Sequence, residues 1–384
     1  MNNLHISFTN FRNESRALKE TQSLDAHNIV KKILICALWE EGLAVHEQID
    51  SQRTIWRIPL KTRSLPKNLA IQLIKYLEFT VCCLWHYRKA TIDIVNCHAL
   101  AILPIGFLFK IIFGSKLVYD THELETETNG AGGIRKKLSQ WLEKGLIPYV
   151  DTTIVVGESI ADIYRNMYQI ERPVVVLNCP EYQQTNKQHY FRDKFKIPDD
   201  ATIYLYQGGF GNGRGIKIIL EAFSRIEDSD NSIVIFMGYG ALEKEIKKYA
   251  QKFDTIFYHE AVPPGELLYY TASADIGLSL IENTSLSYYY CMPNKVFEYW
   301  MAGIPTIITD LYELKKLVIS NQVGWVMEHE TPEALLKIIA DMKPDECRKY
   351  TENTRKVALK YNWENQEKKM INTYQKMLYK GDLA

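Results

Sequence analysis

Short apolar runs alternate with segments of helical periodicity from one end of the chain to the other. In the first half the runs are LHISFT, KKILICAL, TIWRIPL, DIVNCHA, KLVYD, TTIVVG and PVVVLN; in the second they are TIYLYQG, SIVIFMG, TIFYHE, DIGLSLI, PTIITD and GWVME. Continuous β-branched runs separated by amphipathic helices predict parallel strands buried on both faces and joined by crossover helices. Pro180 to Asp200, PEYQQTNKQHYFRDKFKIPDD, is polar and carries no strand pattern, so it divides the chain. The expected organisation is α/β, with two doubly wound Rossmann-like domains over residues 1–185 and 186–365. A C-terminal helix over 366–384 is expected to pack back toward the first domain. In such an arrangement a ligand is expected in the crevice between the domains, at the carboxyl ends of the strands.

Bulk properties narrow the function without naming it. A chain of 384 residues exceeds one ordinary core and suits two. Its 46 basic and 46 acidic residues cancel, so charge gives no signature of nucleic-acid binding. The seven cysteines form no CxxC pair and no zinc-type spacing, and they read as free thiols of a reducing compartment, the cytoplasm. The opening MNNLHISFTNFRNESR lacks the apolar core of a signal peptide. The longest apolar run, ALAILPIGFLF, falls short of the roughly 20 residues a bilayer span needs.

Three stretches carry candidate chemistry. In YLYQGGFGNGRGIKIILEAF an apolar strand meets a loop holding Gly208, Gly209, Gly211, Gly213 and Gly215 and then a helix. Such a turn lets backbone N–H groups approach an anion at the helix N-terminus, and Arg214 adds a fixed positive charge. The stretch is neither a Walker loop nor a GxGxxG dinucleotide turn, and glycine-rich turns also serve as plain connections. In YYYCMPNKVFEYWMAG, Asn294 is placed to cap a helix whose first turn bears Lys295, with Glu298 one turn on. Amides and ammonium there form a second anion site, and the carboxylate could accept two sugar or ribose hydroxyls. The alternative is a solvated Lys/Glu face, which the surrounding tyrosines and Trp300 disfavour. In KLVYDTHELETETNGAGG a strand ends in Asp120, His122 and Glu123, at the strand end where this architecture binds ligands.

Taken in order, VYDTHELE, YQGGFGNGRGI, MGYGALEKEI, AVPPGELLYYTASADIGLSLIENT, PNKVFEYWMAGIPTI and YNWENQ span nearly the whole chain. With them the chain resembles GT-B glycosyltransferases, most closely the retaining group of glycosyltransferase family 4 that builds bacterial surface polysaccharides. The resemblance implies a GT-B fold and a nucleotide-sugar donor. It implies that Gly208, Gly209 and Arg214 line the donor diphosphate with Lys295 beside the same phosphates, that Gly240 and Asn294 belong to the same donor site, that Glu298 takes the ribose hydroxyls and that the turn around Val262 meets the base. His122 and Glu123 are the implied catalytic pair, near donor sugar and acceptor. Two positions depart from the family pattern: Tyr290 stands where relatives keep a glutamate eight residues before Glu298, and Gly209 stands where they keep an arginine. The glycine-rich turn after the first strand is replaced by FTNFRNES.

A departing diphosphate needs positive charge where its own charge develops. Arg214, Lys295 and helix N-termini can supply it, so neither metal nor cofactor is expected, and the one Asp-x-Asp triplet, Asp228 to Asp230, reads as surface. The expected reaction is transfer of a sugar, from a UDP-sugar before a GDP-sugar, to a polysaccharide or lipid-linked oligosaccharide with retention. The competing readings are a GT-B nucleotide-sugar 2-epimerase and an inactive nucleotide-binding partner subunit. From Arg53 to Lys75 there are six basic residues and no acid, followed by the apolar NLAIQLIKYLEFTVCCLWHY. Peripheral contact of residues 53–87 with the anionic inner face of the cell membrane is one expectation, and a core helix with a solvated basic connection is the other.

Overall fold

The computed structural model describes residues 1–12, 14–66, 68–128, 132–227 and 231–379. Lys67 and the Asp228 to Asp230 triplet lie outside them. The chain divides into two compact units, Met1–Val176 together with the chain from Glu367 onward, and Leu177–Gln366.

The strands of the first unit are β1 (Asn2–Ile6), β2 (Lys32–Leu38), β3 (His46–Gln48), β4 (Arg53–Ile58), β5 (Ile94–His98), β6 (Lys116–Asp120), β7 (Thr152–Val155) and β8 (Val174–Val175). They form one sheet in the order β3-β4-β2-β1-β5-β6-β7-β8, parallel except for the β3–β4 pair. Its helices are α1 (Ser15–Ala26), α2 (Leu69–Tyr87), α3 (Leu103–Phe113), α4 (Gly133–Leu146) and α5 (Glu158–Tyr168). Leu4, Ile6, Ile33, Ile35, Ile94 and Val95 are wholly buried, as expected of central parallel strands.

The second unit contains α6 (Tyr190–Phe195), β9 (Thr202–Gly209), α7 (Ile216–Phe223), β10 (Ser232–Tyr239), α8 (Glu243–Ala250), β11 (Ile256–Glu260), α9 (Leu267–Thr271), β12 (Ile276–Ser279), α10 (Leu286–Tyr289), α11 (Asn294–Met301), β13 (Thr306–Thr309), α12 (Tyr312–Asn321), β14 (Gly324–Met327), α13 (Pro332–Asp341) and α14 (Pro344–Lys360). Its wholly parallel sheet runs β11-β10-β9-β12-β13-β14. One side of the core gathers Tyr204, Phe223, Val234, Phe236 and Leu278; the other gathers Phe191, Leu205, Ile235 and Tyr299. The last helix, α15 (Trp363–Tyr379), begins in this unit and continues into the first. There Ser23 Oγ donates to Glu367 at 2.6 Å, and Asn96 bonds the Tyr374 hydroxyl.

Each of the thirteen runs read as strands forms one, the longest apolar run, ALAILPIGFLF, leads into α3, and the two-sheet α/β architecture is the one expected. Only β3 was not foreseen. Its residues, His46, Glu47 and Gln48, are all exposed at the sheet edge, so no burial pattern marks them. Among the described residues no helix is long and apolar enough to cross a membrane, and all seven cysteines are free thiols.

Candidate functional site

In an open parallel sheet the crevice forms where strand order reverses. In the second unit that point lies between β9 and β12, and β9 ends in Gln207, Gly208 and Gly209. Gly208 has φ 110°, and its carbonyl oxygen would stand 2.0 Å from a Cβ at the paired Gly238, so both positions need glycine. Gly240, at φ 149°, passes against the Phe210 backbone, where a Cβ would meet N and O at 2.7 Å.

Lys295 reaches this strand end from the first turn of α11. Its Nζ lies 3.7 Å from the centre of the Tyr206 ring and 3.9 Å from where a Gly208 Cβ would stand. Burial, and behind it the Arg214 guanidinium, lower the Lys295 ammonium to about 7. Arg214 itself lies over the Tyr288 ring at 5.4 Å. Two basic side chains thus lie close enough to repel each other, Lys295 beside Gly208 and Arg214 against Gly211, and bringing an anion between them would relieve that repulsion.

Glu298, one turn along α11, accepts from Gln207 Nε2 at 2.6 Å, and Gln207 Oε1 in turn accepts from Thr271 Oγ1 at 2.8 Å. The buried Tyr299 hydroxyl accepts from the Gln207 amide at 3.0 Å and lies 2.9 Å from the Leu205 carbonyl, fixing α11 to the end of β9. Gln207 and Tyr206 were not among the sequence candidates. The signal was present in YLYQGG, where a lone glutamine interrupts an apolar strand immediately before the glycines.

Two details differ from the sequence reading. Asn294 does not cap α11: Pro293 holds the cap position with φ −67°, no side chain caps the helix, and Asn294 is its first residue. Proline has its φ preset for the helix entrance, so it displaces the polar residue by one. The start of α7 is also not an open anion site. Glu282 Oε1 accepts from the Gly215 amide at 3.2 Å, and the Glu282 amide donates to the Gly213 carbonyl at 3.1 Å, pinning the glycine loop. Val262 follows β11 and packs, half-buried, on the Phe191 and Tyr299 core. Tyr290 ends α10 against the Tyr289 and Tyr312 rings, at 4.9 and 5.8 Å between centroids. Gly209 is exposed at the end of β9.

The first unit has its own polar cluster at the equivalent point, between β1 and β5. Asp120, at the end of β6, is wholly buried and takes a two-pronged contact from Arg16, Nε to Oδ2 at 2.9 Å and Nη2 to Oδ1 at 2.8 Å. Burial alone would raise the Asp120 carboxyl, but Arg16 and then His122 and His98 hold it well below the usual range. His98 Nδ1 and His122 Nε2 each stand 3.3 Å from Asp120 Oδ2, and His98 Nε2 meets His5 Nδ1 at 2.9 Å. Burial lowers both His5 and His98, against the pull of the Asp120 carboxylate. Glu20 lies 2.9 Å from Arg16 Nε; burial and the Asp120 charge raise it well above the carboxylate range. The cluster is therefore built around the Arg16–Asp120 ion pair, with the raised Glu20 carboxyl and the lowered His5 and His98 imidazoles beside it.

His122 is its only partly exposed member, with a third of its side chain open to solvent. Glu123, next to it, is half-buried. Glu125, unremarked in the sequence, accepts from the Leu100 amide at 3.2 Å, and burial raises it to about 7. His5, Glu20 and His98, or His98, Asp120 and His122, bring their ligand atoms within 4.8 Å and could geometrically hold a metal ion. Arg16 already supplies the compensating positive charge at both carboxylates, which favours protons over a cation there.

Comparison with known proteins places the fold. Residues 187–357 match the family described as "Glycosyl transferases group 1". EpsD of Bacillus subtilis (strain 168), named as a glycosyltransferase, is 23% identical over 395 residues, covering 90% of this chain and 97% of its own. The sucrose-phosphate synthase of Thermosynechococcus elongatus superposes with a TM-score of 0.81 at 16% identity, over 98% of this chain and 99% of that one. HepE of Anabaena, solved in complex with UDP, gives 0.72 at 10% identity, over 98% and 100%. The chain has the GT-B fold, two Rossmann-like domains in tandem.

Proposed function

We propose that the protein is a glycosyltransferase that moves a sugar from a UDP-sugar donor to a polysaccharide or lipid-linked oligosaccharide, retaining the donor's anomeric configuration and using no metal. The observation that carries this reading is Lys295, whose side chain lies beside the Gly208 turn, close enough to the Arg214 guanidinium to be lowered by it, with the Glu298 carboxylate one turn along the same helix. Supporting it are the match of residues 187–357 to a glycosyltransferase family and the likeness to HepE, solved with UDP and with UDP-glucose. The family-4 group, with its surface-polysaccharide products, is the proposed branch.

In this reading Gly208, Gly209, Gly240, Asn294, Lys295 and Arg214 hold the diphosphate, and the unguarded first turn of α11 adds backbone amides. Glu298 takes the ribose hydroxyls, the turn at Val262 meets the base, and His122 with Glu123 acts at the donor sugar or the acceptor hydroxyl. The two cations stabilise the departing diphosphate, whose oxygen helps accept the acceptor's proton as the new glycosidic bond forms. The protein works in the cytoplasm, with residues 53–87 in peripheral contact with the inner face of the membrane.

Calorimetry with UDP tests the donor site. Arg214→Ala and Glu298→Ala are each expected to weaken UDP binding by about 10- to 100-fold, as charged hydrogen-bond partners of about 1.5–3 kcal/mol are lost. Unchanged affinity in both would remove the assignment. Incubation with UDP-sugar alone should leave the sugar unaltered apart from slow hydrolysis; conversion at C2 would identify an epimerase instead.

A further inference from the structure

The first unit carries an apolar surface that its own core does not use. Along α2, Leu69, Leu73, Leu77, Val81 and Trp85 recur every fourth residue and are all exposed, Leu69 at 88%. The opposite, buried face of the same helix holds Lys75 and Thr80 alongside Phe79, Cys83 and Tyr87. The outward face is thus the more uniformly apolar of the two, the reverse of an ordinary surface helix. On α4 the pattern repeats: Ile134, Leu138 and Trp141 are 86, 61 and 73% exposed. On α3, Ile111 and Ile112 are more than half exposed.

These helices share one side of the sheet. The connections β4-α2-β5, β5-α3-β6 and β6-α4-β7 all advance in the same direction along the strand order, and right-handed crossovers then place all three on the same face. Ring contact between Phe107 of α3 and Tyr149, just after α4, joins neighbours within it. The second unit has no exposed tryptophan among its described residues.

Charge decides what covers this face. The only acid on α2, Glu78, is turned onto the Lys61 and Thr62 amides, at 2.6 and 3.0 Å. The only acid on α4, Glu143, is buried and accepts from the Tyr119 and Tyr164 hydroxyls at 2.6 Å each. Apart from the buried Lys75 and from Lys136, which pairs with Glu127, the basic residues point outward: Arg135, Lys137 and Lys144 on α4 are exposed, as are Lys61 before α2 and Arg88 and Lys89 after it. Arg88 lies over Trp85 at 3.6 Å, a cation held at an amphipathic ring. Exposed aliphatics, two tryptophans and basic groups with no outward acid are the chemistry of the lipid headgroup boundary.

We propose that α2, α3 and α4 together form a docking face that seats the first unit on an anionic lipid surface, with Trp85 and Trp141 as interfacial anchors. This extends the peripheral contact of residues 53–87 to two further helices and stands independently of the transferase reading. The test is sedimentation of the full-length protein with vesicles of phosphatidylcholine, with and without phosphatidylglycerol, combined with quenching of tryptophan fluorescence by brominated lipid. Wild type is expected to co-sediment with anionic vesicles at low salt and to show quenching. Leu138→Gln with Trp141→Gln is expected to weaken partitioning by about tenfold or more, with melting temperature and UDP affinity unchanged. Arg135→Glu with Lys137→Glu should abolish the preference for anionic vesicles. Absence of binding to anionic vesicles, or binding indifferent to the α4 variants, overturns the proposal. So does lipid-free self-association that the α4 variants abolish, since a second copy would then be the occupant. If vesicle binding holds while UDP fails to bind, the docking face survives and the transferase reading falls.

Discussion

At the scale of single residues the decisive feature is a lysine whose ammonium is destabilised before any ligand arrives. With Lys295 lowered to about 7, a diphosphate placed beside it favours the charged form and raises its pKa on binding. Binding above pH 7 must therefore take up a proton, and affinity should fall toward tenfold per pH unit as pH rises from about 7 to 9. Calorimetry of UDP binding at pH 8 in two buffers of different ionisation enthalpy should give different heats; equal heats would dismiss the linkage. Lys295→Met should abolish the buffer dependence and weaken binding. In the first unit, Asp120→Asn removes the counter-ion of buried Arg16. Glu20, raised by burial first and by the Asp120 charge second, is then freed of that second influence and can ionise beside Arg16, so urea denaturation should show a loss near ~2 kcal/mol rather than the ~3–5 kcal/mol of a fully unpaired buried charge. Adding Glu20→Gln should bring the larger loss.

At the scale of elements, the site depends on how two helix starts are treated. The start of α7 is closed: Gly215 has φ 71°, a Cβ there would stand 2.1 Å from the Leu280 carbonyl oxygen, and Glu282 already holds its amide. Gly215→Ala should therefore cost more than the ~1 kcal/mol of positive-φ strain alone, seen as a lowered midpoint of thermal unfolding, because the backbone of β12's exit must also move. The start of α11 is left without a side-chain cap and carries Lys295 in its first turn. The two starts looked alike in sequence, each a small or polar residue before an apolar helix. What separated them was Glu282, far along the chain from Gly215, and long-range pairing of this kind leaves no local pattern. The strands were legible for the opposite reason, since each buried run declares itself within a few residues.

At the scale of the whole molecule, the first unit is discontinuous. Its sheet and helices run to Val176, yet Asn96 and Ser23 find partners in Tyr374 and Glu367 of α15. A fragment ending at Val176 would leave the buried Asn96 amide unpaired and the surface under α15 open, so it should lose its near-ultraviolet circular dichroism and aggregate. Residues 177–366 hold a complete sheet and both sides of its core, and expressed alone they should fold and bind UDP; failure to bind while folded would place essential donor contacts elsewhere. The sequence by itself determined the strands and the two-sheet α/β class, because each buried run is written in neighbouring residues, and it pointed to the ends of β6 and β9 as candidate sites. Only tertiary structure decided which charges meet. Lys295 stands over Tyr206, Glu298 takes Gln207 and Arg16 takes Asp120 across 89, 91 and 104 positions of sequence. Electrostatic energy depends on separation in space, to which separation along the chain gives no guide.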